Sequence, residues 1–127
     1  MIKLLSNLIK KLMAYKVGAL IIKDNCILLQ RDKNVLGIQY EFPMWDFEVG
    51  CFPIEIINDK VKTEFGINKD KKEYMGKFDI NKTNVYLYLI KWGGEIKSKK
   101  YAWVHKDEVI MNKRNLPFHE EILKEIF

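Results

Sequence analysis

One stretch in the middle of the chain carries the boundaries of a helix. Pro53 suits a first helical turn, where a missing N–H costs nothing. Ile54, Ile57, Val61 and Phe65 then recur at helical spacing, and Gly66 follows where a left-handed C-terminal cap is needed. The apolar runs on either side are of strand length. Val17 to Ile22 and Cys26 to Leu29 flank the turn residues Lys23-Asp24-Asn25 and read as a hairpin. A loop is expected over Asp32 to Ile38, with Glu41-Phe42-Pro43 after it. Tyr74 to Ile80, Asn84 to Ile90 and Tyr101 to His105 read as further strands, with a turn at Trp92-Gly93-Gly94. Leu116-Pro117 opens a closing helix with Phe118, Ile122, Leu123 and Ile126 on its apolar side. Strands around one mid-chain helix and one terminal helix predict an α/β (α+β) domain, a mixed sheet between helices.

The 127 residues allow one core, spanning 15–127, preceded by a separate segment over 1–14. In that segment Ile2, Leu5, Leu8, Ile9, Leu12 and Met13 fall at helical spacing, with Lys3, Lys10 and Lys11 between them. An extra amphipathic helix is the expectation, packing on the domain, on an oligomer partner or on an anionic membrane surface. Hydrophobic residues make up 48% and charged residues 31%, which excludes a disordered or fibrous chain. No apolar run reaches the length of a membrane-spanning helix. Cys26 and Cys51 form neither a disulfide framework nor a zinc spacing, so a reducing, cytoplasmic setting is expected. The net charge of +5 favours polyanionic partners, a nucleotide or a nucleic acid.

Residues 40–67 read YEFPMWDFEVGCFPIEIINDKVKTEFGI. This resembles the segment around the Nudix box of MutT-like pyrophosphohydrolases, W-E-F-P-G-G-K-x-E-x-G-E followed by a helix ending R-E-x-x-E-E-x-G-hydrophobic. The spacing agrees without insertion or deletion. Glu41-Phe42-Pro43, Glu48, Gly50, Glu64, Gly66 and Ile67 stand at matching positions. The flanks agree as well: Lys16 to Ile22 with Ile27 to Arg31 is similar to the family's opening hairpin. Ala102-Trp103-Val104 with Asp107-Glu108-Val109 is similar to its late strand and short turn. The resemblance implies a Nudix fold, a magnesium cofactor, and hydrolysis of a phosphoanhydride in a nucleoside diphosphate linked to another group.

The departures fall on the chemistry. The first box glycine falls at Trp45, beside Met44, and the first box glutamate at Cys51. The arginine falls at Asp59 and the next two glutamates at Lys60 and Thr63, leaving Glu64. Phosphoanhydride hydrolysis needs an activated water and cations on the non-bridging oxygens. Magnesium requires a near-octahedral shell of oxygens. Helix positions i, i+3 and i+4 share one face, and here they hold an ammonium, a hydroxyl and one carboxylate. A lysine ammonium at about 4 Å from a divalent ion is repelled by roughly 8 kcal/mol at an effective dielectric of 20, an upper figure because the head can swing into water. Lys60 is also placed to pair with Glu64 along the helix.

The resemblance assigns Glu64 as metal ligand and, with Glu48, as catalytic carboxylate. It places Arg31 and Glu41 on the substrate side, Arg31 through phosphate; Trp45, where the family has a glycine, is a substrate-binding candidate that covers the pocket or stacks. Asp46, Glu55 and Asp59 are candidate replacement ligands from other directions. Tyr86, Tyr88, Trp92 and Phe78 are candidates for base stacking or for core. The expectation is a Nudix-fold protein with weak or absent metal-dependent hydrolysis. A non-catalytic nucleotide- or nucleic-acid-binding module, as in the Nudix-like domain of adenine DNA glycosylases, stays open. So does an assembly role, a homo-oligomer formed through the N-terminal helix.

Overall fold

The computed structural model describes residues 15–34, 37–48, 50–80, 82–116 and 120–127. The expected N-terminal helix, together with Phe118, lies outside them. The strands are β1 (Tyr15–Lys23), β2 (Cys26–Asn34), β3 (Gly37–Glu41), β4 (Met44–Asp46), β5 (Lys72–Ile80), β6 (Thr83–Lys91) and β7 (Ala102–His105). The helices are α1 (Pro53–Phe65), α2 (Lys106–Met111) and α3 (Glu120–Ile126), with a 3-10 turn at Lys113–Asn115.

The sheet runs β3-β2-β1-β6-β5, with β4 paired to β1 and β7 to β2. β1 and β6 are parallel from Tyr15↔Asn84 to Ile22↔Lys91, and the other pairs are antiparallel. β1 shares one edge between two partners. β2 takes its end at Ile22↔Ile27, and β4 takes its start at Val17↔Trp45. The tight β1–β2 turn carries Asp24 at φ +53, a conformation its short polar side chain tolerates.

Alternation along the strands builds a core on each face. Val17, Ala19 and Ile21 of β1 join Leu28, Tyr88, Ile90 and, from α1, Ile57 and Val61. Leu20 and Ile22 join Ile27, Leu29, Phe42, Leu87, Val109 and, from α3, Ile122, Leu123 and Ile126. The mixed sheet between helices is therefore as expected.

α1 has the bounds its sequence sets. Pro53 stands in its first turn, and Gly66 caps its end at φ +76. The Gly66 N–H donates to the Lys62 carbonyl at 2.9 Å, and the Ile67 N–H to that of Val61 at 3.2 Å. Two expectations need correction. The loop over Asp32 to Ile38 is mostly ladder, with Arg31↔Tyr40 and Asn34↔Gly37 in register. The exposure of Arg31, Asp32 and Lys33 explains the missing apolar signal. The segment at Asp107-Glu108-Val109 is a helix rather than a short turn, capped by His105, whose Nδ1 accepts from the Asp107 N–H at 3.2 Å.

Gly18 is the thinnest point of β1. A Cβ there would stand 2.5 Å from Phe42 Cε2 and 2.8 Å from Leu87 Cδ2. Both neighbours are buried, so neither can swing into solvent. Gly18→Ala is expected to destabilise the fold by about 1–3 kcal/mol through overpacking. A lowered urea midpoint at unchanged m-value checks this, and an unchanged midpoint contradicts the packing.

Candidate functional site

The last turn of α1 places Glu64 against β4. Because Trp45 pairs with Val17, whose side chain faces α1, Trp45 lies on the α1 face of the sheet. Its indole N–H donates to Glu64 Oε1 at 2.8 Å. The Trp45 ring meets Phe65 edge-on, with centroids 6.4 Å apart at 64°. Phe65 meets Tyr101 in the same way at 5.5 Å and 71°. Edge-to-face pairs of this kind hold ring orientation as well as burying area.

Tyr101 ties Glu41 to this cluster. Burial first, then the nearby carboxylates of Glu64 and Glu41, push its phenol up to about 12. Both effects disfavour the phenolate, so the hydroxyl stays protonated at neutral pH. The Lys100 ammonium stands 5.4 Å from the Tyr101 ring centroid. The structure thus gathers Glu64, Trp45 and Glu41, and adds Phe65 and Tyr101. In the sequence Phe65 reads as helix core and Tyr101 as the first residue of a strand. The basic run Lys97, Lys99, Lys100 before Tyr101 is the only local signal.

Arg31 lies elsewhere. It continues the β2 alternation of Ile27 and Leu29, on the face opposite α1. There its Nε and one terminal nitrogen each donate at 3.0 Å to the Glu108 carboxylate. The Tyr40 hydroxyl donates to Glu108 Oε2 at 2.7 Å. The hydrogen bonds from Arg31, more than its charge, draw the Glu108 carboxyl below its ordinary range. Glu48 is exposed in the turn closed by the Cys51 N–H on its carbonyl at 3.2 Å. Asp46 pairs loosely with Lys16 at 3.9 Å.

These donors do not fit magnesium. Glu64 gives one oxygen to an indole N–H, and the helix positions that would supply further carboxylates are Lys60 and Thr63. Among the described residues, no group of three or more His, Cys, Asp or Glu side chains is placed to hold an ion. Nor is Lys60 the partner of Glu64: among the described residues the two form no ion pair within 4 Å, whereas Lys16–Asp46 and Arg31–Glu108 do. What remains is a carboxylate held against a bent row of aromatic rings, an arrangement suited to contact with a planar group.

The architecture is that of Nudix hydrolases. A chain from structural work on MutT of Aliivibrio salmonicida and Vibrio cholerae superposes with a TM-score of 0.64 at 16% identity, over 90% of this chain and 96% of that one. A NUDIX-family hydrolase from Clostridium perfringens gives 0.64 at 16%, over 90% and 93%. An ADP compounds hydrolase gives 0.56 at 13%, over 89% and 68%. At these identities the likeness is one of fold. No family model and no curated protein matches the sequence. Among the described residues, no helix is long and apolar enough to cross a membrane.

The Arg31–Glu108–Tyr40 group has a pH signature. A carboxyl lowered in the folded state stabilises above its unfolded pKa, and loses that contribution as pH falls through the folded value. Both charged side chains are more than a third exposed, so about 1 kcal/mol remains after solvent screening. Glu108→Gln is expected to lower stability by that amount at pH 7, with the difference from wild type shrinking below the ordinary carboxylate range. Chemical denaturation at pH 7 and pH 3 reads this out, and an unchanged difference would contradict it.

Proposed function

We propose that this chain binds a nucleoside phosphate derivative, of the type of a nucleoside diphosphate linked to another group. Its Nudix fold does not assemble the hydrolytic metal centre, so phosphoanhydride turnover is weak or absent. The observation that carries this reading is the Trp45–Glu64 hydrogen bond at 2.8 Å. The one box carboxylate left on the helix is tied to the side chain that replaces the first box glycine.

Three arguments support the reading. Fewer carboxylates mean that the ion's desolvation is not repaid, since magnesium dehydrates reluctantly. The nearby Lys60 adds like charge in the direction from which a second carboxylate would come. The Phe65–Tyr101 edge offers a planar group an aromatic wall beside a protonated hydroxyl. The substrate class comes from the fold neighbours, which include a MutT and an ADP compounds hydrolase.

Isothermal calorimetry with a panel of nucleoside diphosphate derivatives, with and without magnesium, tests binding. Saturable heat that is independent of magnesium is expected, with little phosphate release. The Glu64→Gln variant should leave that residual release unchanged. Fast, magnesium-dependent release that Glu64→Gln abolishes would overturn the proposal.

A further inference from the structure

A second group of aromatic rings stands on the α1 side of the sheet, toward the edge strand β5. Tyr74 pairs with Tyr88, and Lys77 with Tyr86, in register. Directly opposite residues share a face. Tyr88 and Tyr86 pack with the cluster under α1, which fixes that face. The Tyr74 ring lies 6.4 Å from Tyr86 at an interplanar angle of 26°, and 5.3 Å from Tyr88. Tyr86 continues the row to Phe47 at 5.6 Å and to Tyr15 at 6.1 Å.

The row ends on an open ring. β5 has no neighbour on its outer edge among the described strands, and Tyr74 is 52% exposed. Its neighbours, buried Tyr88 and half-buried Tyr86, hold it in place, so it can accept a stacking partner with little loss of side-chain freedom. The charges around it are mostly positive. Lys77, opposite Tyr86, is exposed, and Lys72, opposite Ile90, shares the same face. The Lys72 ammonium donates to the Asp70 carbonyl at 3.0 Å. Asp79 is the one acid on this face of β5, further along and opposite Asn84.

An exposed ring between two lysines, on a chain of net charge +5, complements a base with a phosphate on either side. We propose that this face binds single-stranded nucleic acid, one base stacking on Tyr74 and the flanking phosphates pairing with Lys72 and Lys77. A duplex hides the faces of its bases, so the preference is for single strands. This site uses none of the residues of the Glu64–Trp45 cluster, although Val17 stands in register between Trp45 and Tyr86 on the same face, and it does not depend on what that cluster binds.

Fluorescence anisotropy with labelled oligo-dT, oligo-U and a duplex of equal length tests it on the full chain. Both single strands are expected to bind, the duplex more weakly, with affinity falling as salt rises. Tyr74→Ala should weaken single-strand binding about tenfold, and Tyr74→Phe should restore it. Lys77→Glu should flatten the salt slope by about one ion or more. The proposal is overturned if single strands fail to bind at low salt, if the duplex binds equally well, or if a folded Tyr74→Ala variant binds like wild type. Oligonucleotide binding that appears only after deletion of residues 1–13 would assign the face to that segment. A molar mass that changes in Tyr74→Ala while oligonucleotide binding does not would assign it to a second copy. Either result also overturns the proposal.

Discussion

Strand β1 is hydrogen-bonded along both edges and covered on both faces. Val17, Ala19 and Ile21 are fully buried toward α1, and Leu20 and Ile22 are buried toward α3. Such a strand has no solvent side to slip toward, so its register is strongly specified. The rest of the sheet takes its position from it. β6 runs parallel along one edge, while β2 and β4 divide the other. Gly18 lets the Phe42 ring close over the middle, just before the chain turns into β4. The placement of Trp45 is thus a consequence of β1 packing rather than of local preference.

Everything distinctive about the candidate site follows from that placement. A glycine at position 45 would leave the end of α1 open to a ligand or an ion. The indole closes it and supplies a donor to the only carboxylate on that stretch of helix. A carboxylate oxygen engaged by an N–H is less free to enter a metal shell. An ammonium at Lys60 in place of an acid makes the cluster poorer still in negative charge. The aromatic contacts from Trp45 through Phe65 to Tyr101 keep the carboxylate beside apolar rings. The proposed reading of the site, a surface for recognition, rests on these contacts within a fold shared with Nudix hydrolases.

Much of this was legible from residue order alone, where local rules decide the outcome. Pro53 and Gly66 bound the helix correctly because the first turn and the left-handed cap depend on single residues. The first hairpin and the β5–β6 pair carry apolar runs that match their strands. β4 has no such signal, since three half-buried or exposed residues after Pro43 show no period. The extension of β2 toward β3 was hidden because Asp32 and Lys33 are exposed and carry no apolar signal. The Arg31–Glu108 pair joins positions 77 residues apart, a distance over which pattern says nothing. Tyr101 escaped for a related reason. Its surroundings come from the ends of α1 and β3, so only the assembled fold shows that Glu64 and Glu41 act on it.

The most direct measurement is the indole resonance of Trp45 in a 1H–15N spectrum during a magnesium titration. If the carboxylate of Glu64 serves as acceptor for the indole, the resonance stays in place through millimolar magnesium and shifts in Glu64→Gln. A saturable shift of that resonance with magnesium, matched by the side-chain carboxyl carbon of Glu64, would show the carboxylate leaving the indole for an ion and would contradict the account.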